Sequence, residues 1–64
     1  MHATYHEATK KLIVTDGPYY VLRAVLPTRA HLGITLRNNG LKKVDKDRWK
    51  KHGDTYFAEL EYKS

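Results

Sequence analysis

Residues 10–26 read KKLIVTDGPYYVLRAVL. Leu12, Ile13 and Val14 run into Thr15-Asp16-Gly17-Pro18, and the stretch from Tyr19 to Leu26 returns β-branched, aromatic and apolar. Such side chains suit a pleated surface, and Asp-Gly supplies the backbone freedom of a tight reversal, so this segment predicts a β-hairpin. The second arm is apolar on both faces. Tyr20, Leu22, Ala24 and Leu26 lie on one and Tyr19, Val21 and Val25 on the other, interrupted only by Arg23. A strand covered on both sides reads this way, which predicts that this arm is central in the sheet.

Working outward, Ala3 and Tyr5 alternate with His2, Thr4 and His6 and predict a more exposed strand at a sheet edge. Beyond Pro27, Ala30, Leu32, Ile34 and Leu36 recur at period two, which predicts a half-buried strand. The competing reading is a helix capped by Thr28 and closed by Gly40. It is disfavoured because Gly33, Ile34 and Thr35 are poor helix formers in succession. Asn38-Asn39-Gly40 is a turn on either reading.

From Val44 to Gly53 the pattern predicts a short helix. Asp45 is the N-cap, Val44 and Trp49 form a hydrophobic staple, and Gly53 is the closing residue in left-handed conformation. The segment from Thr55 to Tyr62 alternates cleanly, with Tyr56, Ala58, Leu60 and Tyr62 opposite Thr55, Phe57, Glu59 and Glu61, and predicts the last strand. The expected fold is α+β and mostly β: a small antiparallel sheet of four or five strands with one short helix before the last strand, in a single domain over 1–64.

A chain of 64 residues buries only roughly 60% of the surface it exposes when unfolded, so its stability is marginal and self-association into a homo-oligomer would add useful burial. Without cysteine it has neither a disulfide nor a thiolate metal site to compensate. Residues 1–11, MHATYHEATKK, lack the apolar core of a signal peptide. No apolar run approaches the roughly 18 residues of a membrane span, so the expectation is a soluble protein.

The net charge of +5 is concentrated. Between Arg37 and His52 stand Arg37, Lys42, Lys43, Lys46, Arg48, Lys50 and Lys51 against only Asp45 and Asp47, whereas acids and bases cancel over the rest of the chain. Cations beside Trp49 suit an acidic protein surface or the phosphates of a nucleic acid, and they also suit a merely solvated face. Among the aromatics, Tyr20, Trp49, Tyr56 and Tyr62 fall on apolar faces and are expected in the core. Tyr19 and Phe57 fall opposite and are candidates for an interface.

Chemistry has less support. His2 and His6 have a spacing that would place two metal ligands on one helix face, but in a strand it separates them by roughly 13 Å. Glu59 and Glu61 share a strand face without an evident pocket to perturb them. The only serine is Ser64, and no glycine-rich phosphate loop occurs. The expectation is no catalytic residue, no cofactor and no metal.

Residues 32–52, LGITLRNNGLKKVDKDRWKKH, resemble a pattern found in small phage-encoded proteins, many from head and tail gene modules. The matching positions are Ile34 and Leu36 in a strand, Gly40 in a turn, Val44, and Trp49 in a short capped helix. The chain departs from the pattern in having Asn38-Asn39 where a proline-containing turn is usual, and in a more basic helix. The resemblance implies a non-enzymatic accessory or structural protein, or an inhibitor of a host complex, located in the bacterial cytoplasm or the virion. It would act through contacts with a protein partner, with non-specific nucleic-acid binding by the basic segment as the alternative.

Overall fold

The computed structural model describes residues 1–45 and 48–63. It has six strands and one helix in the order β1 (His2–His6), β2 (Lys11–Asp16), β3 (Tyr19–Val25), α1 (His31–Asn38), β4 (Leu41–Lys43), β5 (Lys50–His52) and β6 (Thr55–Tyr62). The sheet is antiparallel throughout, in spatial order β3-β2-β1-β6-β4, with β5 also on β6. The expected class, mostly β with one short helix and a small antiparallel sheet, is the class observed. No helix among the described residues is long and apolar enough to cross a membrane.

The hairpin of residues 10–26 forms as its sequence predicts, turning at Gly17-Pro18, with an irregularity between Val14 and Thr15. Its place in the sheet is the reverse of the expectation. β3 is an edge strand, and β1 is central, paired with β2 on one side and β6 on the other. The reason is the side chains of β1: Ala3 and Tyr5 are fully buried, and Tyr5 is the largest such residue in the protein. Its hydroxyl donates 2.8 Å to the Leu26 carbonyl, which satisfies the one polar atom that the burial would otherwise strand. Tyr19 and Tyr20, by contrast, project into solvent.

Register places Ala3 between Val14 and Ala58, and Tyr5 between Leu12 and Tyr56. These residues, with Leu22, Ala24, Leu41 and Leu60, form one apolar face of the sheet, and α1 covers it with Leu32 and Leu36. The other face carries His2, Thr4, His6, Ile13, Thr15 and Phe57, none of them buried.

Residues 31–38 are helical, not the predicted strand. Leu32 and Leu36 are buried while Ile34 is 55% exposed. An apolar residue at every second position also contains an i, i+4 pair, and that pair is what packs against the sheet. No side chain caps the helix start, where Ala30 takes the N-cap position, and Thr28 Oγ1 instead lies 3.0 Å from His31 Nδ1. Gly40 closes the helix with φ 70°, its N–H donating to the Arg37 carbonyl at 3.1 Å.

The helix predicted over 45–53 is likewise replaced. Lys50–His52 is a strand, and Val44 is 55% exposed, so no staple with Trp49 forms. Lys46 and Asp47, within the predicted helix, lie outside the described residues. Gly53 does take a left-handed conformation, φ 60°, but in the two-residue loop of the β5–β6 hairpin. The same glycine signal serves a helix end and a hairpin turn, and here the alternating β6 strand supplies a ladder that decides between them. Two residues expected in the core, Tyr20 and Tyr62, are exposed: the irregularity between Val14 and Thr15 puts Tyr20, opposite Thr15, on the face away from α1, and Tyr62 is the last residue of β6.

Candidate nucleic-acid interface

The basic segment forms the outer edge of the sheet beyond β6. Leu41 pairs with Tyr62 and Lys43 with Leu60, while Lys50 pairs with Phe57 and His52 with Thr55. β4 and β5 therefore lie end to end along one side of β6. Just past the end of β4, the Val44 N–H donates to the Glu59 carbonyl at 3.0 Å.

This interrupted edge distributes its cations to both faces. In the β5 ladder, Lys50 shares the face of Phe57 and Lys51 the face of Tyr56, because successive strand residues point to opposite sides. Lys42 sits opposite Glu61, with Nζ 3.4 Å from its carboxylate. On the helix side, α1 and the excursion enclose a cleft of about 320 Å³ lined by Arg29, Lys43, Arg48, Trp49 and Tyr56, together with Leu32 and Gly33. No carboxylate is among the described residues of that lining. On the other face a cavity of about 280 Å³ is bordered by His2, Arg48, Lys50, Phe57 and Glu59, among others. Arg48 borders both spaces.

Tyr56 forms the cleft floor. The Arg29 guanidinium stands 4.6 Å and the Lys51 ammonium 5.4 Å from its ring centroid, so two cations rest on a nearly buried π face. Arg29 also reaches the Glu7 carboxylate at 3.4 Å. Trp49, half-buried, forms part of the wall.

Of the basic residues singled out by sequence, Lys43 and Arg48 line the cleft, Lys51 borders its floor, and Lys50 stands on the opposite face. Lys42 is engaged with Glu61. Arg37 lies in the last turn of α1, where its charge complements the helix dipole, and it lines neither space. Lys46 lies outside the described residues. Arg29 was not singled out, because its position depends on residues 31–38 being helical; its place just before an amphipathic helix is the signal that would have found it.

The interface aromatics are not brought together. Tyr19 is on edge strand β3 and Phe57 on β6, with β2 and β1 between them. His2 pairs with Glu59, and His6 Nδ1 lies 3.1 Å from Thr55 Oγ1. Among the described residues, no group of three or more His, Cys, Asp or Glu side chains is placed to hold a metal ion. Glu59 and Glu61 each have a separate basic partner, so they form no carboxylate pair.

Comparison with protein families, with curated proteins and with solved structures finds no match. The positions that carry the phage-type resemblance occupy exchanged elements in the fold: Ile34 and Leu36 are helical, and Trp49 directly precedes strand β5.

Proposed function

We propose that the protein binds single-stranded nucleic acid without chemical turnover and without reading sequence, through the β4–β5 edge. The observation that carries this reading is the helix-side cleft, where Arg29, Lys43 and Arg48 stand beside Trp49 and Tyr56 and no described lining residue is acidic. Cations of this kind neutralise phosphates and release their condensed counterions, and an accessible indole offers a face to an unpaired base of any identity. A duplex keeps its bases stacked inside and gains only the first contribution.

Docking on a protein through Tyr19 and Phe57 has less support, because that reading needs the two rings in one patch and they stand three strands apart. An acidic protein surface would use the same cations but leave the aromatic wall without a role.

The test is fluorescence anisotropy with labelled single- and double-stranded oligonucleotides at several salt concentrations, with Trp49 emission followed in parallel. Expected is preference for the single strand, quenching of Trp49, and a log–log salt slope of roughly −2 to −3.5, corresponding to three to five neutralised phosphates. Absence of binding at low salt, together with binding to an acidic polypeptide, would replace this reading with the protein one.

A further inference from the structure

Among the described residues no helix covers the face of the sheet opposite α1, and the composition of that face is ordered. Register aligns Lys50, Phe57, Thr4, Ile13 and Arg23 in one row across β5, β6, β1, β2 and β3. A cation stands at each end, with an aromatic ring, a hydroxyl and an aliphatic side chain between them. Phe57 is 39% exposed, and its ring meets the His52 ring at 5.8 Å with the planes 77° apart, so His52 braces it. At the far end Tyr20, 65% exposed, lies opposite Thr15 on the same face, with the Arg23 guanidinium 5.1 Å from its ring centroid.

We propose that this open face is a second part of the binding surface, a platform on which the same single strand stacks bases at two stations, Phe57 and the Tyr20–Arg23 pair. This rests on the nucleic-acid reading of the edge. Three strand spacings and a two-residue offset separate the stations by about 16 Å, a span covered by several nucleotides. The two sites are neighbours, because Lys43 and Arg48 border both the helix-side cleft and the cavity beside Phe57. The charge on the face also suits a polyanion. Over this face and the cavity beside Phe57, Lys11, Arg23, Lys42, Arg48 and Lys50 outnumber the carboxylates Asp45, Glu59 and Glu61. An apolar protein partner would instead need a contiguous hydrophobic patch, and here each ring or aliphatic side chain has a cationic or hydroxyl neighbour in register.

The test is a length series of oligothymidylates, dT4 to dT15, titrated against the wild-type protein and against Phe57→Ser, Tyr20→Ser and Phe57→Tyr, with circular dichroism checking that each variant folds. Wild-type affinity should rise steeply until the oligomer spans both stations. Each Ser variant should weaken dT15 at least fivefold with the salt slope unchanged, since a stacking ring and no phosphate contact is lost, and Phe57→Tyr should keep the affinity. Ser variants that bind dT15 like the wild type, while Arg48→Gln still weakens it, would overturn the platform and leave the edge reading intact. A wild-type protein that binds no oligomer at low salt would overturn both.

Discussion

The two halves of the sheet are built differently. The β1–β2–β3 half is a meander with one local irregularity, and its inward side chains include three of the five largest fully buried residues, Tyr5, Leu12 and Val14. The β4–β5–β6 half contributes Leu41 and Leu60 to the same core, but its outer strand is split into two three-residue pieces and carries cations to both sides. The first half is organised for burial. The second, whose outer strand is divided between Lys43 and Lys50, borders a cleft and a cavity, and Arg48 lines both. A broken edge strand also presents fewer consecutive unpaired backbone groups, which protects against edge-to-edge association.

The largest effect should come from the first half. Tyr5→Ala removes the biggest buried side chain and leaves the Leu26 carbonyl without its donor, and roughly 3–5 kcal/mol of stability should go with it. In a domain this small, that loss should abolish cooperative thermal unfolding; a variant that melts within a few degrees of the wild type would refute the central placement of β1.

Next in size is the element joining the halves. Leu36→Ala should cost about 2–4 kcal/mol and Ile34→Ala under about 1, because only the former faces the sheet. A strand over these residues would put both on one face and make the two losses similar, so chemical denaturation of the pair decides between the conformations.

Smaller again is a contrast between two turns. Gly53 in the β5–β6 loop and Lys10 in the β1–β2 loop both adopt left-handed backbone, φ 60° and 63°. Gly53→Ala should destabilise by about 1 kcal/mol, whereas Lys10→Gly should stabilise by somewhat less, since glycine relieves the steric cost there but is more disordered when unfolded. Denaturation midpoints moving in the same direction would show that one loop is built differently from this account.

The comparison also explains what could be read from sequence. The hairpin of residues 10–26 and the alternation of residues 55–62 were legible because their signals are local. The position of β1 was not, since Ala3 and Tyr5 become core only when strands distant in sequence close on both sides. Residues 30–36 satisfy a two-residue and a four-residue period at once, and only the presence of a sheet face to cover chooses the helix. Gly53 posed the same ambiguity between helix end and hairpin. For the site, the density of cations over 37–52 was visible, but their division between two faces follows from β5 being a strand, and the part played by Arg29 follows from α1 being a helix.

The most direct test of the central claim is the salt dependence of single-strand binding by the Arg48→Gln, Lys51→Gln double variant beside the wild type. Both side chains are exposed, so stability should stay within about 0.5 kcal/mol. The account predicts weaker binding and a log–log slope shallower by roughly 1.4, about 0.7 for each lost phosphate contact. An unchanged slope at unchanged stability would contradict it, and the β4–β5 edge would then be a solvated rim of the sheet.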